Sequence, residues 1–156
     1  MTRHDLPPAG RLAGIDYGTV RVGVAVSDPQ RVLASPYENY TRRSPDEDAE
    51  YFRRLAESEQ IAGFVVGLPV HGSGEESQKS REARQFGQWL QRVASRPVVF
   101  YDERYTSAQA QELLAAAEMT KKKRKKRLDM IAAQIILASF LESGAARAEP
   151  PGPLAD

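Results

Sequence analysis

The chain contains no cysteine. Disulfides and thiolate metal sites are therefore excluded, which suits a reducing compartment. The first ten residues, MTRHDLPPAG, lack the apolar core of a signal peptide. Long hydrophobic runs are missing as well. The longest, Met130–Leu141, is interrupted by Gln134 and Ser139 and falls short of the roughly 20 residues that span a bilayer. No segment repeats, and no ladder of aromatic residues offers a stacking platform for single-stranded bases. The expectation is a soluble cytoplasmic protein with no membrane partner. At 156 residues it is long enough for one domain with an unstapled core.

Charge is present but unevenly placed. The formal net charge is +1. Seven consecutive cations, Lys121, Lys122, Lys123, Arg124, Lys125, Lys126 and Arg127, contribute +7 and leave −6 for the rest. An acidic body with one dense cationic segment points to a local polyanion contact. Two bland readings compete. One is a solvated linker kept mobile by its own repulsion; the other is a localisation tag.

Two β-rich runs, RLAGIDYG and VRVGVAVSD, flank a Gly-Thr turn and read as a hairpin with one packed face. RVLASPYENYT reads as a third strand, which Pro36 pushes toward an edge or a bulge. Ser44-Pro45-Asp46-Glu47 is a capping box opening a helix to about residue 60. IAGFVVGLP reads as a buried strand, VHGSGEES as a loop, and about 76–94 as a helix. PVVFYDER is the next strand. Thr106–Gln109 caps a helix to about 119, and a last helix covers about 127–143. Residues 1–10 and the Pro/Gly/Ala-rich 144–156 are expected to be disordered tails around a domain over 11–143. The order implies an α/β fold: a five-stranded mixed sheet, its first three strands an antiparallel meander, with helices on both faces.

Three acidic positions stand out. Asp16 ends the first strand and the pair Asp102-Glu103 ends the last. Asp129 opens the final helix, on the row of Ala133, Ile136 and Phe140, so an acid continues an apolar stripe. Strand ends of an α/β sheet gather ligand sites. Clustered carboxylates repel unless a divalent cation joins them, and oxygen donors suit Mg²⁺ or Mn²⁺. Each acid also has a plain reading: a turn residue for Asp16, first-turn helix charges for Asp102 and Asp129.

GIDYGTVRVGVAVSD, VVGLPVHGSG, DERYTS and KKKRKKRLDMIAAQIILASFLES stand in an order and spacing that resemble the YqgF/RuvX family of RNase H-fold nucleases. The likeness runs from about residue 11 to 143, and is loose over 32–51. It implies an RNase H-like fold and divalent-metal hydrolysis of nucleic-acid phosphodiesters. By position, Asp16, Glu103 and Asp129 match the family's acids. Asp102 is a further candidate ligand. The implied arrangement has Asp16 bridging two ions, with Glu103 and Asp129 completing their coordination. Family members are described as Holliday junction resolvases or as nucleases in 5′-end processing of pre-16S rRNA. The expected partners are therefore structured RNA or branched DNA, with a second copy of the chain in a homodimer.

The basic run and Arg104 are the candidate phosphate contacts. A structural salt bridge is an equal reading for Arg104. Arg21 and His71 read as exposed residues, and Tyr17 and Tyr105 as packing or base contacts. Two functional alternatives stand beside the nuclease. A sugar-kinase-like ATPase would need a second domain. A non-catalytic RNA-binding or ribosome-assembly module would use the same fold, and the three acids argue against it.

Overall fold

The computed structural model describes residues 6–69, 77–103, 112 and 121–143, with the side chains of 121–129 excepted. The expectations for 70–76 (with His71), for Arg104, Tyr105 and the helix over 106–119, and for the ends 1–5 and 144–156 lie outside these residues. The elements are β1 (Arg11–Asp16), β2 (Arg21–Ser27), β3 (Ala34–Thr41), α1 (Pro45–Ser58), β4 (Ile61–Leu68), α2 (Gln78–Ala94), β5 (Val98–Asp102) and α3 (Lys121–Glu142). The strands form one mixed sheet in the order β3-β2-β1-β4-β5. No helix among the described residues is long and apolar enough to cross a membrane.

The first three strands form the expected antiparallel meander, with Ala13 opposite Val26 and Val26 opposite Ser35. The hairpin is buried on both faces, however, where one packed face was expected. Ala13, Ile15, Val22 and Val24 pack with Phe52 and Leu55 of α1 and with Phe86 and Leu90 of α2. Leu12, Ala25 and Val65 pack on the other side with Ala133, Ile136, Leu137 and Phe140 of α3. Small residues make the second face hard to read as apolar. Gly14 lets α3 come so close that a Cβ there would lie 2.7 Å from Leu137 Cβ and 2.8 Å from the Ala133 carbonyl.

β3 is an edge strand, and its register slips opposite Val24 and Ala25, which pair with Glu38 and Pro36. Proline thus sits at both an edge and an irregularity, since it has no N–H for the ladder. Ser44 caps α1 as expected: its Oγ accepts from Glu47 N at 3.1 Å, and it donates to Glu47 Oε1 at 3.1 Å in place of the backbone bond of a full capping box. Ser77 caps α2, whose Oγ accepts from Ser80 N at 3.1 Å.

Two expectations fail. Residues 6–10, assigned to a disordered tail, are pinned. The buried Arg31 donates to the Pro7 carbonyl at 2.7 Å and to Gly10 at 2.8 Å, and Leu6 packs beside the α3-side core. The basic run, read as a linker, is helical: α3 begins at Lys121, not near 127. Lysine and arginine have helix propensities near that of leucine. Repulsion costs only about 0.2–0.5 kcal/mol for each i,i+4 pair, and the docked segment Ala133–Leu141 supplies the helix nucleus.

Candidate active site

β1, β4 and β5 run parallel, with Ile15 beside Val66 and Gly67 beside Tyr101. Their C-terminal ends therefore open at one edge of the sheet. Asp16 stands at the end of β1, and Asp102 and Glu103 at the end of β5. One strand, β4, separates them, so their backbones are about 10 Å apart at the usual strand spacing.

Side-chain alternation decides which acids share a face. Gly14 touches Leu137 of α3 and Gly67 touches Ile136. Asp16 falls on the same face as Gly14 by the two-residue period, and Glu103 on the same face as Tyr101, whose ring meets Phe140 at 6.0 Å. Asp102 follows Phe100, which packs against the opposite core with α1 and α2. Asp16 and Glu103 thus flank Gly67 on the α3 face, and Asp102 turns the other way.

Gly67 makes room for this arrangement. A Cβ at this position would lie 2.8 Å from Glu103 Oε2 and 2.5 Å from Ile136 Cδ1. The Glu103 carboxylate occupies space that any other residue in β4 would fill. Burial raises its pKa above the usual carboxylate value; Lys79 opposes that shift and Asp102 adds to it. A half-buried acid pushed toward neutrality next to other acids is where a cation would restore the charged form.

Asp129 lies one helical turn before Ala133, whose carbonyl sits over Gly14, two residues before Asp16. Ala133, Ile136 and Phe140 of its row are all buried in the α3-side core. The Asp129 side chain itself, like those of 121–127, is outside the described residues. Among the described residues no three His, Cys, Asp or Glu side chains come together as a metal site. The donors that do reach the edge are all carboxylate oxygens, a set that suits Mg²⁺ or Mn²⁺.

The structure adds residues that the sequence did not single out. Arg42 follows β3, and its guanidinium lies 5.5 Å from the ring centres of both Tyr17 and Phe86. It donates to Gly18 O at 3.4 Å and to Tyr17 Oη at 3.5 Å. Its Nε meets Asp48 Oδ2 at 3.4 Å. Asp48, 2% exposed, also accepts from Tyr40 Oη at 2.6 Å and Arg43 N at 2.8 Å. Burial and then the bond to Asp48 push the Tyr40 phenol up to about 12. The turn directly after Asp16 is thereby held against α1 and α2. Tyr17 is a packing residue, as its ring lies 5.1 Å from Phe86. Arg21 is exposed at the start of β2. Paired cations just ahead of a capping box were the one available signal for Arg42, in a stretch of loose family likeness.

Comparison with known proteins covers nearly the whole chain. The family model "RuvX: Holliday junction resolvase" matches residues 10–143. A protein of Rhodopirellula baltica named "Putative pre-16S rRNA nuclease" is 49% identical over 146 residues, covering 94% of this chain and 84% of that one. A protein of the same name from Neisseria gonorrhoeae is 41% identical over 139 residues, covering 89% and 92%. Among solved structures, Thermus thermophilus RuvC bound to a Holliday junction substrate aligns with a TM-score of 0.61 at 15% identity, covering 91% of this chain and 99% of that one. Fowlpox virus resolvase with Holliday junction DNA aligns at 0.53 and 11% identity, covering 85% and 97%. At those identities the likeness is one of fold, and it is the expected RNase H-like fold.

Proposed function

The chain belongs to the RuvX family, and from that membership we propose that it is a nuclease hydrolysing phosphodiester bonds of structured nucleic acid in the cytoplasm. Its favoured substrate is pre-16S rRNA, cut at the 5′ end; relatives matched over 84–92% of their length carry the name "Putative pre-16S rRNA nuclease". The observation that carries the reading is the seating of Asp16 and Glu103 on one face of the strand-end edge, across the side-chain-free Gly67.

In this mechanism Asp16, Glu103 and Asp129 would hold two Mg²⁺ or Mn²⁺ ions. The bound ions would supply Lewis-acid activation of water and neutralisation of the leaving oxygen. Asp16 would contribute from the end of β1, the central strand of the five. Glu103 contributes from β5, and Asp102 acts on it through charge instead of as a main ligand. The Arg42–Asp48 pair fixes the turn after Asp16, so the carboxylate is positioned before substrate arrives. Lys121–Arg127 draw in the phosphate backbone without reading sequence, and Arg104 adds a phosphate contact.

The test is cleavage of a structured pre-rRNA 5′ fragment and of a four-way DNA junction, each with Mg²⁺ or Mn²⁺, by wild type and by Asp16→Asn. Metal-dependent cleavage of the RNA that vanishes in the variant is expected. Binding of both substrates with no cleavage by wild type would replace the nuclease with an RNA-binding module. Preferential cutting of the junction would select the resolvase reading, which the family description favours. Light scattering of the purified chain tests the homodimer.

A further inference from the structure

Helix α2 reaches the same edge from the opposite face of the sheet. Its N-cap residue Ser77 donates from Oγ to the Pro69 carbonyl at 3.2 Å, directly after the end of β4. This bond pins the helix start at the strand end between β1 and β5. Ala83, Phe86 and Leu90 form the core-facing row of the helix, and all are buried. One turn earlier the buried face of the helix ends at Ser80, which is 0% exposed. Lys79, the residue before it and two residues from the N-cap, is exposed. Phe86 packs on Tyr17, the residue after Asp16, at 5.1 Å. The first turn of α2, which carries Lys79, therefore lies beside the ends of β1 and β4, and the Lys79 charge acts on Glu103, directly after β5.

A lysine at this position is an odd choice for stability. The first turn of α2 carries no acid, and a cation at a helix N-terminus opposes the helix dipole. A cation is useful there if an anion has to be held beside the acids, because carboxylates alone repel a phosphodiester. We propose that Lys79 contacts the substrate at this edge, donating to a non-bridging oxygen of the phosphate that undergoes hydrolysis. The proposal rests on the nuclease reading of Asp16 and Glu103. Charge on the phosphoryl oxygens must be stabilised as the bond breaks, and a donor aimed there acts mainly on the rate at saturating substrate. Lys79 stands on an element separate from the basic run, so its contribution can be measured with that run intact.

The experiment compares wild type, Lys79→Met and Lys79→Arg as full-length chains. Two quantities are read for a structured RNA and a four-way junction. One is the single-turnover cleavage rate at saturating enzyme with Mn²⁺. The other is the salt slope of binding with Ca²⁺ in place of Mn²⁺. Lys79→Met is expected to lower the saturated rate by about tenfold or more and to flatten the salt slope by about one unit. Lys79→Arg should restore most of both, and neither variant should melt below wild type, because the side chain is exposed and its charge opposes the helix dipole. An unchanged rate and slope in Lys79→Met overturn the proposal. A flattened slope with a wild-type rate shows a peripheral contact, and also overturns it. If wild type binds but does not cleave, the nuclease reading fails and carries the hydrolytic role of Lys79 down with it. If wild type cleaves, a Lys79 failure stands alone.

Discussion

Gly67→Ala is the substitution that most directly probes the edge. The added methyl would lie 2.8 Å from Glu103 Oε2, 2.5 Å from Ile136 Cδ1 and 3.0 Å from Ile136 Cγ1. Comfortable contacts of this kind are about 3.5–4.0 Å, so the carboxylate must retreat by roughly half an ångström or more. Ile136 is 4% exposed and has little room to yield. Overpacking of this sort costs about 1–3 kcal/mol, a fall in Tm of roughly 2–10 °C for a chain of this size. The effect on chemistry should be larger, since a misplacement near 1 Å can cost on the order of a hundredfold in rate. Gly87→Ala is the control. Its methyl would lie 2.5 Å from Phe100 Cε1 and 2.6 Å from Cζ, a comparable collision against an aromatic ring instead of an acid. Both variants should melt lower by calorimetry, with the loss at Gly87 softened because alanine favours a helix. Well below both melting points, only Gly67→Ala should lose single-turnover cleavage, and its affinity in Ca²⁺ should stay near wild type. Wild-type cleavage by a folded Gly67→Ala protein would refute the placement of Glu103 at the centre of the site.

Asp48→Asn keeps the shape but leaves Arg42 half-buried without its counter-charge. About 2–3 kcal/mol of stability should be lost by denaturant titration, below the cost of a fully buried pair because Arg42 is 28% exposed. A loss under about 0.5 kcal/mol would mean the pair is not structural. Tyr40 and Tyr51 donate to Asp48 and Glu38 at 2.6 Å, and both phenols are raised by burial first. A raised folded-state pKa gives stability that is complete below the unfolded value near 10. That stability is lost as pH climbs through the folded value, about 12 for Tyr40. Absorbance at 295 nm should therefore show two tyrosines that titrate only with alkaline unfolding, and six normal titrations would contradict this. Replacing Lys122, Lys123, Lys125 and Lys126 with glutamine should weaken nucleic-acid binding and lower the salt slope by up to about 0.9 per phosphate contact removed. Equal affinity at every salt concentration would return the run to a solvated surface.

The meander, the cap at Ser44 and the buried β4 were legible because each rests on local chemistry: alternation, a hydroxyl before a proline, a short apolar run. The second packed face of the hairpin was not legible, because Gly14 and Ala25 carry too little side chain to register as apolar. Their smallness is nevertheless what admits α3. Asp16 and Glu103 could be named from their positions at strand ends. Their shared face, and the turning away of Asp102, depend on strand registers that one sequence does not display. Lys79 escaped notice for a related reason. Its place at the edge follows from the start of α2 being tied to the end of β4 through Ser77 and Pro69, a contact that the sequence does not display.

The basic run was misjudged in its backbone because repulsion was weighed without propensity. Seven cations occupy the first seven positions of a 22-residue helix, the end where the backbone dipole already favours negative charge. Each local rule except propensity argues against them. Ordinary helices avoid this conflict by placing acids in the first turn, as α1 does with Asp46, Glu47 and Asp48. A local conflict retained inside an otherwise consistent fold points to function. A polyanion would resolve it by neutralising the side chains and by supplying the negative charge that a helix N-terminus favours. A helix also sets the spacing of these charges relative to Asp129, two residues beyond the run, which a mobile linker would leave unfixed. Phosphate contacts and metal ligand would then ride on one rigid element whose position is set by Gly14.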